Sequence, residues 1–180
     1  MSGNAGLDGA GWQAIFSRLR AWDALELGEY GTDAAGAITA FAAPSVLTRV
    51  FADEGNAVAI VAFHQLTPRA LVVSLMATDG WLRVARALVR WGVREARPFL
   101  LSRGFARAEC RTMEGHADAI RLLERLGFVQ ECRVPSFGAS GAAFLQYAWR
   151  LNDHVHQNTQ SPAAATAAAD TGVAAGGGVE

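Results

Sequence analysis

The chain contains no lysine: all 16 of its basic residues are arginine, set against 17 acidic residues for a formal charge of −1. That absence excludes a phosphate-loop lysine, a Schiff-base lysine and a lysine general base. Cysteine is scarce too. Cys110 and Cys132 are too few for a disulfide framework, and their spacing fits no zinc pattern. No apolar run approaches the roughly 18 residues of a membrane span. The near-neutral charge argues against a dedicated nucleic-acid-binding domain, which is usually strongly basic. There is no Gly-x-Ser-x-Gly hydrolase elbow. The start, Met1-Ser-Gly-Asn-Ala-Gly-Leu-Asp, lacks the basic and apolar regions of a signal peptide, so a cytoplasmic, reduced protein is expected.

What is present suits one folded domain. The chain has 180 residues, of which 51% are apolar, enough to bury a full core. Residues 1–11 are Gly-rich and polar, and read as a loose leader. Residues 12–152 hold all five tryptophans, all nine phenylalanines and both tyrosines. Residues 153–180 have no aromatic and no arginine. Such an Ala/Gly-rich tail has too little large apolar surface to order by itself, so a partner surface is expected to hold it.

Periodicity then gives the elements. Trp12, Ile15, Phe16, Leu19 and Trp22 recur at helical spacing, which predicts one helix to about Leu27. A short Ala-rich helix follows the N-cap Asp33 and ends at Pro44. Three strands come next, Val46–Phe51, Ala57–Gln65 and Leu71–Met76, joined by tight turns into an antiparallel meander. A long helix from Asp79 to Ala96 should stop at Pro98. Phe105–Thr112 reads as a strand, His116–Leu126 as a helix closed by Gly127, and the last two strands as a hairpin. The order is helix, helix, three-strand meander, helix, strand, helix, two strands. It implies an α/β (α+β) domain with a mixed sheet and helices on its faces.

The stretch Gly115-His-Ala-Asp-Ala-Ile-Arg-Leu-Leu-Glu-Arg-Leu-Gly-Phe-Val-Gln-Glu131 resembles the last motif of the GCN5-related N-acetyltransferase superfamily. That likeness implies acetyl-CoA as cofactor, a glycine-rich loop for its diphosphate at the start of the long helix, and direct attack of an amine on the thioester. Here the loop position reads Met76-Ala-Thr-Asp-Gly-Trp-Leu-Arg83, with Gly80 as its one glycine. Asp79 competes there for the helix-start N–H groups. The tyrosine that usually protonates the thiolate falls at Leu123, and the usual pantetheine-holding asparagine falls at His116. These departures predict a degenerate cofactor site. The Thr-Asp helix start, the Ala-Ile-Arg ending and the opening Leu19-Arg-Ala-Trp-Asp-Ala-Leu-Glu26 resemble short internal virion proteins of tailed phages. This narrower likeness implies a virion- or assembly-associated protein, located in the virion or the bacterial cytoplasm, whose transferase activity is unproven.

The candidate residues follow. Asp23 and Glu26, at i and i+3, can face one direction as an acidic pair lining the acceptor side, or form an exposed edge that pairs with Arg20. His64, on the second strand, is a candidate base or a hydrogen-bonded sheet histidine. His116 is a cofactor-arm ligand by the resemblance, or a helix cap. Gly80, Arg83 and Arg86 are the candidate phosphate contacts. Arg83, Arg86, Arg90, Arg94 and Arg97 recur at spacings of 3, 4, 4 and 3, a single cationic stripe in a regular helix. The stripe reads as a solvated face or as a contact for phosphate or an acidic partner. Other virion proteins are the partners expected on it and on the C-terminal tail.

Overall fold

The computed structural model describes residues 9–150. The expectations for the first eight residues and for the tail lie outside those residues. The chain runs α1 (Gly9–Phe16), α2 (Ala21–Glu29), α3 (Ala34–Ala42), β1 (Leu47–Asp53), β2 (Asn56–Thr67) and β3 (Ala70–Ala77). A 3-10 turn (Asp79–Arg83), α4 (Ala85–Trp91), a π segment (Gly92–Ala96) and α5 (Arg97–Ser102) follow as one long helical rod. Then come β4 (Arg107–Met113), α6 (Ala117–Leu126), β5 (Val129–Val134) and β6 (Phe144–Arg150).

The six strands form one mixed sheet in the order β1-β2-β3-β4-β6-β5. Every pairing is antiparallel except β3 with β4. Helices cover both faces. One core layer packs Ile15, Phe16, Ala37 and Phe41 of α1 and α3 against Ile60 and Ala62. The other packs Leu88, Trp91, Leu100 and Leu122 against Val61, Phe63, Leu71, Tyr147 and Trp149. Covered on both sides, β2 is buried without interruption from Ala57 to Phe63, which is why its sequence is apolar rather than alternating.

Two expected helices are built differently. The predicted helix Trp12–Leu27 breaks at Arg20, whose backbone is extended (φ −60°, ψ 152°). The Arg20 N–H leaves the helical pattern and donates to the Ala77 carbonyl at 3.0 Å, which docks the start of α2 on β3. Nor does Pro98 stop the long helix, which continues to Ser102. In the π segment the bonding slips to i−5, with Arg97 N–H reaching Gly92 O. A widened turn of this kind leaves a position where no donor is needed, and Pro98 sits there in the first turn of α5.

The helix–strand signature at Leu126-Gly-Phe128 forms as read. Gly127 takes φ +84°, and the Gly127 and Phe128 N–H groups return to Glu124 O and Leu123 O at 3.0 and 2.9 Å. A left-handed alanine costs about 1–2 kcal/mol. Gly127→Ala should therefore lower the unfolding free energy by about that amount, read from the urea midpoint at unchanged m. Asp33 caps α3 as expected, its side chain accepting from Gly36 N–H at 2.9 Å.

Candidate active site

The sheet is split between β3 and β4. These parallel strands pair at three positions, Ala70↔Arg107, Leu71↔Ala108 and Val72↔Glu109. Beyond them the strands diverge, and backbone groups on the facing edges lose their ladder partners. Helix α2 lies across the open end and supplies replacements. Asp23 Oδ2 accepts from Ala77 N–H on β3 at 2.7 Å, and Glu26 Oε1 accepts from Met113 N–H on β4 at 3.2 Å. One carboxylate therefore holds each strand.

Arg20, Thr112 and His116 complete the cluster. Arg20 Nε donates to Asp23 Oδ1 at 2.6 Å, and its guanidinium lies 4.9 Å from the Trp81 ring. The Thr112 hydroxyl donates to Glu26 Oε2 at 3.2 Å, and His116 Nδ1 lies 3.0 Å from that same oxygen. Trp22 stacks on the imidazole at 5.3 Å between centroids. When Glu26 is ionised it can only accept, so Nδ1–H is then the donor of this bond. Nε2 is 3.8 Å from Asp23 Oδ1 and has no hydrogen-bond partner, as is also true of Arg20 Nη1. Both groups are deeply buried, Arg20 being 6% and His116 1% exposed. Unpaired polar atoms at this depth are costly, and each calls for a physical reason.

A cavity of about 480 Å³ runs through the split, within the range of small-molecule sites. At one end it meets Arg20, Asp23, Glu26 and His116, and at the other Leu88, Trp91, Leu122 and Leu126 from between α4 and α6. Burial pushes the Asp23 carboxyl up from its usual value against the opposing pull of Arg20, the Ala77 N–H and His116. Burial, reinforced by Glu26 and Glu109, pushes the Cys110 thiol up to about 12, so this cavity-lining sulfur stays a thiol and is a poor nucleophile. Tyr30, also on the cavity wall, is pushed above its ordinary value by burial and Glu26.

The sequence candidates divide accordingly. Asp23, Glu26 and His116 come together. The pairing of Asp23 with Arg20 does form, but buried rather than on an exposed edge. His116 stands at the N-cap position of α6 yet makes no side-chain cap. His64 is elsewhere: Nδ1 lies 3.4 Å from Pro44 O, the ring meets Phe41 edge-on, and the residue does not line the cavity. Gly80 lies in the 3-10 turn, its N–H taken by Thr78 Oγ1 at 3.3 Å. Arg83 is held by Asp53 at 2.7 Å.

The cationic stripe is not continuous. Arg97 turns to the Trp149 ring (5.1 Å) and the Arg150 carbonyl (3.0 Å), and Arg83 turns to the β1–β2 turn. The 3-10 start and the π segment both break the regular helical period that a single stripe requires. Arg86, Arg90 and Arg94 remain together and are joined by Arg121 and Arg125 of α6, which sequence spacing along one helix could not reveal.

No family model matches this sequence, and no curated protein sequence matches it. Solved structures do. The ribosomal-protein-S18-alanine N-acetyltransferase from Escherichia coli superposes with a TM-score of 0.61 at 17% identity, over 83% of this chain and 92% of that one. A candidate acetyltransferase from Salmonella typhimurium, solved with its cofactor acetyl-CoA, gives 0.59 at 15% identity over 85% and 95%. An aminoglycoside 6′-acetyltransferase of type Ii gives 0.59 at 18% identity over 84% and 94%. The chain has the GCN5-related N-acetyltransferase fold. Among the described residues no helix is long and apolar enough to cross a membrane.

Proposed function

We propose that the protein is an acyl-CoA-dependent N-acyltransferase whose active site is the β3–β4 split closed by α2. The observation that carries this reading is the cavity through the split, lined at one end by Arg20, Asp23, Glu26 and His116, where Arg20 and His116 each hold a buried polar atom without a hydrogen-bond partner. Acetyl-CoA would supply an activated thioester. Leu88, Leu122 and Leu126 at the apolar end of the cavity, with Val73 and Leu75 of β3 and Cys110 of β4, would hold its arm. The Gly80 N–H is already used by Thr78, so the diphosphate end is where this site departs from the glycine-rich loop. With Nδ1–H held by Glu26, Nε2 would take a proton from an ammonium before it attacks, or from the amine as its nitrogen bonds to the thioester carbon and the CoA thiolate leaves. Having no lysine, the chain offers an acyl group no side-chain amine of its own, and the acceptor is another molecule or an N-terminus. Release of free CoA thiol, followed with amines of several classes (polyamine, aminoglycoside, peptide N-terminus), tests the proposal. No thiol release above background with any of them counts against it.

Leu123 lines the cavity where the resemblance expects a tyrosine acid. Leu123→Tyr should raise turnover by about tenfold or more, within the usual reach of a positioned acid. An unchanged kcat would show that the thiolate is protonated from elsewhere.

A second reading is favoured by the capped Gly80 N–H. An internal Thr78 cap in place of a diphosphate cradle suits the likeness to tailed-phage internal virion proteins, and with it a role in the virion or its assembly. Mass spectrometry of purified particles and assembly intermediates tests this reading, and absence of the chain from both removes it.

A further inference from the structure

On the solvent side of the helical rod, α4, the π segment and α6 enclose a groove of about 740 Å³. Arg86, Arg90 and Arg94 form one wall and Arg121 and Arg125 the other. Asp118 is the one carboxylate in the lining, and it is engaged by Arg121 at 2.9 Å. Among the described residues, Arg86, Arg90, Arg94 and Arg125 make no ion pair, whereas Arg49, Arg83, Arg107 and Arg133 each hold a carboxylate. Glu95, the acidic residue of the π segment, is turned to Arg49 on β1. In a chain of net charge −1, four uncompensated guanidinium groups along one groove form a concentrated positive field.

The floor between the walls is apolar. Leu82 is 65% and Val93 44% exposed, with Val89 between them. Phosphate chains have no use for such a floor. Nor does the groove offer bases a stacking platform, since its one aromatic, Trp81, is 6% exposed. Two cationic walls around an exposed aliphatic floor match a helix that carries leucine-like residues on one face and carboxylates on both flanks. The arginine row from 86 to 94 spans eight residue steps, roughly 12 Å of helix rise, or about two turns of such an occupant. Guanidinium groups also suit bidentate contact with carboxylates.

We infer that this groove, which adjoins the cavity of the split sheet at Leu122, is a docking site for an acidic amphipathic helix of a partner protein. The test is fluorescence anisotropy with a synthetic helical peptide bearing leucines on one face and glutamates on both flanks. Its comparators are a shuffled peptide of the same composition, single-stranded oligo-dT, and CoA as competitor. Two variants at exposed positions separate charge from floor: Arg90→Glu with Arg94→Glu, and Leu82→Ser with Val93→Ser. The patterned peptide should bind, and each double variant should weaken it by about tenfold or more, while circular dichroism confirms the fold. The inference is overturned by no peptide binding, by equal binding of the shuffled peptide, or by a floor variant that binds as wild type. Tighter binding of oligo-dT would assign the groove to nucleic acid instead, and displacement by CoA would assign it to the nucleotide end of the cofactor. Neither a positive nor a negative result here depends on turnover.

Discussion

Asp23→Ala is expected to lower the unfolding free energy by about 3–5 kcal/mol, the usual consequence of stranding one member of a buried ion pair. Asp23 is 3% exposed and holds both Arg20 and the unpaired edge amide of β3. Without it the guanidinium is buried against Trp81 with no carboxylate, and the Ala77 N–H has no acceptor. On a total stability of about 5–15 kcal/mol, the loss is large enough to measure by urea titration at neutral pH. Asp23→Asn adds a pH signature. Burial raises the folded-state carboxyl above its ordinary 3.8, so the native chain holds this proton more readily than the unfolded chain does. Its contribution is then fully present below 3.8 and declines as pH rises through the raised folded value. Asparagine does not titrate, so the penalty of Asp23→Asn should shrink as pH rises from about 4 towards neutral. A penalty that grows with pH would mean that Arg20 and the amide outweigh burial.

His116→Ala should lower kcat by about 10²–10⁴-fold, the range for loss of a positioned general base, with acetyl-CoA affinity changed little. Glu26→Gln is the informative companion. Glutamine keeps an acceptor for the Met113 N–H, but it can also donate to Nδ1 and so place the imidazole proton on Nε2. It should lower kcat strongly at unchanged fold, as measured by CoA-thiol release and near-ultraviolet circular dichroism. Full activity in both variants would reduce the imidazole to a buried strut beneath Trp22.

Local signals were readable where one short segment decides the outcome. The glycine at 127, the Asp33 cap and the turn between β1 and β2 each act within a few residues, and with the meander they were enough to give the order of strands and helices. The acidic pair on α2 was legible as a pair, because i and i+3 share a helix face whatever the environment. Its burial was not legible, since that depends on the Ala77 and Met113 amides, more than fifty residues away. The break at Arg20 has the same origin: local periodicity favours one helix, and a carbonyl on β3 ends it. Leu82 and Val93, which no sequence pattern singled out, emerge as an exposed floor. The π segment shifts the helical register, and only the fold brings Arg121 and Arg125 opposite.

We propose that the split sheet is a working acyl-CoA site despite its missing glycine loop. Calorimetric titration of the full chain with acetyl-CoA addresses it most directly. The structure predicts saturable binding tighter than about 100 µM, roughly −5.5 kcal/mol, weakened several-fold by Leu122→Trp, which would fill the apolar end of the cavity. A folded protein that gives no heat with millimolar acetyl-CoA would contradict the account and leave the cluster of Asp23, Glu26 and His116 as a clasp that only holds the two strands.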